Sequence, residues 1–145
     1  MPLAPLNEPY ASDPTLLLAL CIWREARGES HDAKVGVASV VMNRCVMAPA
    51  QGFKRSVTGN ILHPWAFSSF MEGDPNAVKY PASGDSSWTD SQLVAQNEMR
   101  NHLSTDPTDG AIFYHSNAEA LPPPKDWGNV TFTGTIDHLH FFKIA

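Results

Sequence analysis

The sequence predicts an α+β fold in which helices come first and a small antiparallel sheet comes last. Apolar residues recur at helical spacing in the first part of the chain, whereas β-branched and aromatic residues concentrate after residue 110. A length of 145 residues with 43% hydrophobic and 17% charged residues is typical of one globular domain. We therefore expect a single domain over residues 1–145, with residues 1–12 as an extended lead-in.

Capping residues predict the first two helices. Asp13-Pro14 places an N-cap side chain before a proline at the first helical position, and Gly28 favours a stop after about Arg27. Ser30 is suited to cap a second helix that runs to about Arg44. The residues predicted to face inward on this second helix are Ala33, Val37, Val40, Val41 and Arg44.

A third helix is predicted to begin at Thr89, because Gln92 three residues later completes a capping box. One face of this helix carries Leu93, Val94, Asn97, Arg100 and Leu103. Between the second and third helices, residues 47–88 are rich in Pro, Gly, Ser and aromatic residues and predict only short helical turns. A connection of this length in a compact domain is usually functional.

Three β-strands are predicted near the end of the chain. They cover residues 111–115, 130–136 and 138–142, where Val, Ile, Thr and aromatic residues are frequent. Gly134 lies inside the second strand and indicates a β-bulge or a close backbone approach.

Charge and hydropathy argue against two classes of partner. The net charge is −5 and no run of Lys or Arg occurs, so neither nucleic acid nor an anionic membrane surface is expected to bind. The longest apolar run, residues 16–23, is far shorter than the roughly 20 residues that span a bilayer, so no membrane insertion is expected. Residues 1–10 lack the basic and apolar regions of a signal peptide, which predicts synthesis in the cytoplasm.

Glu25 has the most distinctive chemical setting in the chain. It continues the helical spacing of Leu18 and Ile22, so its carboxyl is expected to point inward near the end of the first helix. Apolar surroundings raise the pKa of a carboxyl, and cleavage of a glycosidic bond requires an acid that is protonated near neutral pH. On this pattern alone, a structural ion pair with one of the nearby arginines is at least as well supported.

Several motifs resemble a known family. Glu25-Ala26-Arg27-Gly28-Glu29, followed by residues 34–44, resembles the catalytic domain of the SleB-type cell-wall hydrolases. That family includes spore-cortex-lytic enzymes and related phage and prophage lysins. Further matches follow in the same order at Ala66-Phe67-Ser68, at residues 106–115 and at residues 138–142. The resemblance covers about residues 15 to 142, with the first two motifs as its most specific part.

The resemblance implies a lysozyme-like fold and an enzyme that degrades peptidoglycan. The expected reaction cleaves the bond between N-acetylmuramic acid and N-acetylglucosamine by lytic transglycosylation, which leaves a 1,6-anhydromuramyl end. Glu25 is implied as the catalytic acid, and no cofactor is expected. The residues expected to bind substrate are Glu29, Phe67, Ser68, Tyr114 and His115.

A single acid fits the sequence better than a carboxylate pair. Hydrolases of this bond need a second Asp or Glu, whereas a transglycosylase uses the 6-hydroxyl of its own substrate as the nucleophile. Glu29 follows Gly28, which makes continuation of the helix and a shared face with Glu25 doubtful. Asp74 and Asp106 are further candidates, but no motif supports either as a catalytic partner.

Two alternatives to a glycosidase stay open. His115, His138 and His140 could form the zinc site of a peptidoglycan amidase or peptidase, although no close ligand motif supports it. A non-catalytic wall-sugar-binding module would use the same aromatic residues without an acid. Trp65 and Trp127 are candidates to stack on sugar rings, and packing in the core is the equally supported alternative.

The expected partners are peptidoglycan glycan strands, and the expected role is that of a cell-wall lysin or endolysin. An enzyme made in the cytoplasm would reach the wall only after release. A holin-type membrane lesion is the expected route.

Overall fold

The computed structural model describes residues 2–116 and 123–145, with the backbone alone over residues 102–105. Within that part of the chain, helices precede strands, which confirms the predicted α+β class. The α-helices are α1 (Pro14–Ala26), α2 (His31–Met47), α3 (Val57–Ile61) and α4 (Ser86–Thr105). The strands are β1 (Phe113–Ser116), β2 (Val130–Ile136) and β3 (Leu139–Ile144). Single-turn 3-10 helices occur at Ala50–Gly52, Ser68–Phe70, Pro75–Val78 and Lys125–Trp127.

Helix α1 forms the centre of the domain. Its N-cap, Asp13, accepts hydrogen bonds from the backbone N–H groups of Thr15 and Leu16, as the sequence predicts. Every residue from Leu17 to Arg24 is buried, and a helix that is buried all round belongs to the interior of a domain. The acid candidate at position 25 therefore comes at the end of the most buried element of the chain.

Helix α2 packs its predicted face inward. Ser30 caps the helix by accepting a hydrogen bond from the N–H of Ala33. All five residues predicted to face inward are buried. On the same helix, a Cβ at Gly36 would lie 2.6 Å from the ring of Phe141, so glycine is needed for β3 to approach α2 this closely.

Helix α4 differs from its prediction in both its start and its buried face. It begins at Ser86 rather than Thr89, because Asp85 is the N-cap and accepts a hydrogen bond from the N–H of Trp88. Leu93, Asn97 and Arg100 are exposed, and Val94 alone of the predicted face with a described side chain is buried. The Leu103 side chain lies outside the described residues.

The buried face of α4 is instead Ser91, Val94, Ala95 and Glu98. The small residues at positions 91 and 95 let the helix pack closely on its neighbours. The Glu98 carboxylate accepts a hydrogen bond from the Ser39 hydroxyl at 3.1 Å. A charged residue can be buried here because it has a polar partner on α2.

The sheet is antiparallel, in the order β1-β3-β2. The register of β2 against β3 shifts between Phe132 and Gly134, which confirms the β-bulge indicated by that glycine. Strand β1 begins at Phe113, two residues later than predicted. Strand β3 begins at Leu139, and His138 lies in the preceding turn rather than on the strand, because Asp137 adopts a positive φ of 50° there.

Part of the segment 47–88 packs against α1 through contacts with Arg24. Its guanidinium donates hydrogen bonds to the carbonyl oxygens of Ser69, Ala77 and Lys79 at 3.0–3.2 Å. The same group lies over the ring of Phe70, 4.7 Å from its centroid. These contacts place the segment that carries the Phe67 motif beside the end of α1.

No helix in the described ranges combines the length and the apolar character needed to cross a membrane.

Candidate active site

A groove with a volume of about 680 Å³ opens beside the end of α1. Its lining includes residues 63–68, strand β1 and the 3-10 turn Lys125–Trp127. Glu25 and Arg44 contribute charged groups to its lining. A concave site with a few polar groups among apolar and aromatic side chains is typical of a ligand-binding pocket.

Glu25 is partly buried in the last turn of α1, and its side chain borders the groove. Burial raises the pKa of this carboxyl, and the negative charge of Asp74 acts in the same direction. The hydroxyl of Tyr114 and the positive charge of Arg44 oppose that rise without cancelling it. The net effect is an acid that keeps its proton to higher pH than an ordinary glutamate does.

Tyr114 donates a hydrogen bond from its hydroxyl to Oε1 of Glu25. Strand β1 pairs Tyr114 with Phe141 of β3, and the two rings pack 5.8 Å apart between centroids. Burial and the neighbouring charge of Glu25 raise the pKa of Tyr114 well above its ordinary value. The phenol therefore stays protonated and remains a hydrogen-bond donor to the carboxylate.

Arg44 places a buried positive charge at the groove. Its Nε donates to the carbonyl oxygen of Ile112 at 2.8 Å, and its guanidinium lies 5.1–5.6 Å from the ring centroids of three aromatic residues. These residues are Phe53, Phe67 and Phe113. Burial lowers the pKa of Arg44, while the negative charge of Glu25 raises it. The arrangement provides positive potential near the acid.

The arginines near Glu25 have other partners, so the structure gives no support to an ion-pair role for Glu25. Arg24 binds backbone carbonyls, and Arg27 donates to Oδ1 of Asn76 at 2.8 Å while lying over the ring of Trp23. Among the residues that the structure describes, Glu25 forms no salt bridge within 4.0 Å.

The groove brings together five of the six predicted site residues. Glu25, Phe67, Ser68, Tyr114 and His115 all line it. Phe67 and His115 are largely buried, and they shape the walls. Ser68 is exposed, so its hydroxyl is accessible to a ligand.

Glu29 does not line this groove. Its carboxylate lies 2.9 Å from Nδ1 of His138, at the turn between β2 and β3. Beside it, the Asp137 carboxylate accepts a hydrogen bond from the N–H of Ser30 at 2.6 Å. These two contacts join the α1–α2 turn to the β2–β3 hairpin. Glu29 thus has a structural role at this junction.

The two other carboxylates considered in the sequence are both engaged in turns. Asp74 accepts a hydrogen bond from the N–H of Asn76 at 2.8 Å and caps a 3-10 turn. Burial alone would raise the pKa of Asp106, but hydrogen bonds from Thr108, Asn43 and Gly110 lower it below its usual value. Neither residue lines the groove.

Sequence reasoning missed Asp126, an exposed carboxylate on the 3-10 turn at the groove wall. His63 and Asn60 also line the groove without having been predicted. No local pattern marks these positions, because the tertiary packing of α3, of residues 63–68 and of the turn Lys125–Trp127 brings them to the site.

The three histidines of the zinc alternative do not converge. His115 and His140 are paired across β1 and β3, with ring centroids 5.5 Å apart. His138 contacts Glu29, and Nδ1 of His140 lies 2.7 Å from the Thr135 hydroxyl. Within the described ranges, no group of three His, Cys, Asp or Glu side chains has the spacing of a metal site.

Comparison with known proteins finds a family model described as Cell Wall Hydrolase that matches residues 28–142. The match begins three residues after Glu25. The spore cortex-lytic enzyme of Bacillus subtilis is 29% identical over 125 residues, which cover 82% of this chain and 34% of that protein. The spore cortex-lytic enzyme of Oceanobacillus iheyensis is 36% identical over 64 residues, or 44% of this chain and 22% of that protein. This chain thus corresponds to about a third or less of these relatives.

Two solved structures share the architecture. The catalytic domain of the Bacillus cereus SleB protein superposes with a TM-score of 0.67 at 23% identity, covering 95% of both chains. The catalytic domain of the germination-specific lytic transglycosylase SleB from Bacillus anthracis gives a TM-score of 0.68 at 22% identity, covering 95% of this chain and all of that one. These matches confirm the predicted lysozyme-like fold.

Proposed function

Because the chain belongs to the cell wall hydrolase family, we propose that it cuts the glycan backbone of peptidoglycan with Glu25 as its acid. Membership of this family confirms the resemblance to SleB-type hydrolases drawn from the sequence. The observation that carries the proposal is the setting of Glu25, a carboxyl with a raised pKa at an open groove. The substrate bond is the one between N-acetylmuramic acid and N-acetylglucosamine.

The reaction begins with proton transfer from Glu25 to the glycosidic oxygen. The bond between that oxygen and C1 of N-acetylmuramic acid breaks, and positive charge develops on the sugar ring. The 6-hydroxyl oxygen of the same sugar then bonds to C1, and its proton passes to the Glu25 carboxylate. The products are a free 4-hydroxyl and a 1,6-anhydro ring, no water is consumed, and Glu25 regains its proton.

The surroundings of Glu25 suit both halves of this cycle. Burial and the charge of Asp74 favour the protonated acid before bond cleavage. The Tyr114 hydroxyl and the Arg44 charge stabilise the carboxylate after it has donated its proton. One residue can therefore act first as acid and then as base.

Asp126 supports a second candidate, a hydrolytic muramidase. Its exposed carboxylate lies on the groove wall formed by the 3-10 turn, where it could activate a water molecule. That mechanism would release a reducing N-acetylmuramic acid end. The transglycosylase is favoured because a single carboxyl suffices for it, and Glu25 is a groove-lining carboxyl with a raised pKa.

Mass spectrometry of the products separates these candidates. Purified sacculi digested by the protein are expected to release fragments with 1,6-anhydromuramyl ends, and Asp126→Asn is expected to leave both product and rate largely unchanged. Reducing muramic ends that disappear in Asp126→Asn would establish the muramidase. Release of free stem peptides with intact glycan would overturn the glycosidase proposal and restore the amidase.

We further propose that the enzyme acts as a lysin on the wall after release from the cytoplasm through a holin-type lesion. Expression in a bacterial host with and without a separately induced holin tests this role. Lysis that depends on the holin supports the role. Rapid lysis without the holin, or none with it, contradicts the role without affecting the chemistry.

A further inference from the structure

We propose that Trp65 is a sugar-stacking platform of the groove and holds one pyranose ring of the glycan strand beside the acid. The inference rests on the proposed function, because it takes the ligand to be a glycan. From the sequence, Trp65 and Trp127 could each pack in the protein or bind a sugar. The structure favours sugar binding for Trp65 and packing for Trp127.

The first observation is the exposure of Trp65. Its relative accessibility is 67%, although tryptophan is usually well buried. It also lines the groove wall formed by residues 63–68. At this exposure, much of the indole surface is open to a ligand in the groove.

The second observation is the backbone at this position. Trp65 adopts a φ of 69°, a left-handed conformation that is unfavourable for a bulky side chain. The turn is held in place by a hydrogen bond from the N–H of Ala66 to the carbonyl oxygen of His63 and by the contact of the Trp65 N–H with Sδ of Met71 at 3.5 Å. Glycine would fit this backbone without strain, so the indole is kept against a local preference for a smaller residue.

Trp127, which also lines the groove, has the environment of a packing residue. It stacks on Phe113 with ring centroids 4.8 Å apart and an interplanar angle of 8°. Its edges also contact His115 and Phe142. One face of this indole is therefore covered by protein, and its removal would disturb the sheet.

The chemistry of the expected ligand matches a free indole face. The sugars of a β-1,4-linked glycan carry equatorial substituents, which leaves a face of C–H groups on each ring. Such a face packs well against an aromatic ring, while the surrounding hydroxyl and acetamido groups bind polar side chains. Ser68 is exposed three residues from Trp65 on the same wall and can supply such a polar contact.

The test measures binding separately from turnover. In a Glu25→Gln background, which prevents cleavage, calorimetry measures the affinity for a soluble tetrasaccharide of alternating N-acetylglucosamine and N-acetylmuramic acid. Trp65→Ala is expected to weaken binding by roughly tenfold, as expected for the loss of one aromatic contact. Trp65→Tyr is expected to retain part of the affinity. Leu93→Ala, which removes an exposed apolar side chain from α4 outside the groove, is the matched control and is expected to bind normally.

Thermal unfolding separates binding from folding. Trp65→Ala is expected to keep the melting temperature of the parent, because the side chain is exposed and alanine tolerates the positive φ no worse than tryptophan does. Trp127→Ala is expected to lower it. An unchanged affinity in Trp65→Ala, or a loss of affinity that accompanies a lower melting temperature, would overturn the assignment.

Kinetic constants measured with Glu25 intact test the stacking role of Trp65 separately from the proposed reaction. Trp65→Ala is expected to raise KM for peptidoglycan with little change in kcat, the sign of lost binding rather than lost chemistry. If the parent cleaves the glycosidic bond and Trp65→Ala has the same KM, only the stacking role fails. If the parent cleaves no glycosidic bond but the tetrasaccharide binds in a Trp65-dependent way, only the proposed function fails.

Discussion

Glu25 and Glu29 are four residues apart in the chain and have opposite environments. Glu25 borders the groove, where burial raises its pKa and Tyr114 donates to its carboxylate. Glu29 lies outside the groove and contacts His138, whose side chain is 73% exposed. One carboxyl has a setting suited to proton transfer, and the other joins two surface turns.

The end of helix α1 produces this difference. On a continuous helix, side chains four residues apart would share a face. Helix α1 ends at Ala26, and the N–H of Glu29 binds the carbonyl oxygen of Ala26 in a turn that redirects the chain. The change in backbone conformation after Ala26 therefore places the Glu25 carboxyl at the groove and the Glu29 carboxyl beside His138.

The largest predicted effect separates these two glutamates by activity. Glu25→Gln is expected to lower the rate of sacculus lysis by about 10²–10⁴-fold, because the amide cannot donate the proton. Glu29→Gln, its matched control, is expected to retain most of the activity. Turbidity loss of purified sacculi measures both. Equal losses of activity in the two variants would contradict a specific role for Glu25 as the catalytic acid.

A smaller effect is predicted for the hydroxyl that contacts Glu25. Tyr114→Phe removes a hydrogen bond that lowers the pKa of Glu25, so that pKa is expected to rise further above its ordinary value. The alkaline limb of the pH–rate profile should then move to higher pH. The maximal rate should fall about tenfold, because the carboxylate loses a stabilising donor.

A fixed alkaline limb in Tyr114→Phe would indicate that another group controls that limb. Phe141→Leu serves as a comparison, because it disturbs packing against the Tyr114 ring and leaves the hydroxyl present. It is expected to lower the melting temperature without moving the limb.

The smallest predicted effect concerns stability at the Glu29 side. The hydrogen bond and charge of Glu29 raise the pKa of His138. Their contribution to stability is therefore fully present below the pKa of unfolded histidine, and it is lost as pH rises through the higher pKa of the folded state. Melting temperatures of the parent and Glu29→Gln should differ slightly at pH 5 and converge at pH 9.

Added salt should reduce that difference further, since the imidazole of His138 is exposed to solvent. A difference that grows with pH would contradict the ion pair. His138→Gln provides the reciprocal variant and should show the same convergence.

Local chemistry allowed much of the fold to be predicted. Asp13 and Ser30 cap their helices as the sequence indicates, because a cap depends only on the next few residues. Gly134 marks the bulge for the same reason. The buried face of α4 was not predictable, since Glu98 is buried through its contact with Ser39, 59 positions away.

The site was predictable where a motif carried it. Glu25 and Tyr114 were expected in the groove, and both line it. Glu29 was expected there from the motif, but the turn after α1, which Gly28 had made plausible, directs it elsewhere. Asp126 and the exposed Trp65 reach the groove through the tertiary packing of residues 63–68 and of the turn Lys125–Trp127. A periodic sequence pattern does not reveal such packing.

The titration of the Glu25 carboxyl shows whether this group can act as the proton donor. Carbon-13 NMR of the side-chain carboxyl, assigned by loss of its resonance in Glu25→Gln, follows that group through pH. We expect a midpoint above the roughly 4.3 of an ordinary glutamate, coinciding with the alkaline limb of the pH–rate profile. A midpoint at or below that ordinary value, in an enzyme that is fully active at neutral pH, would contradict Glu25 as the proton donor.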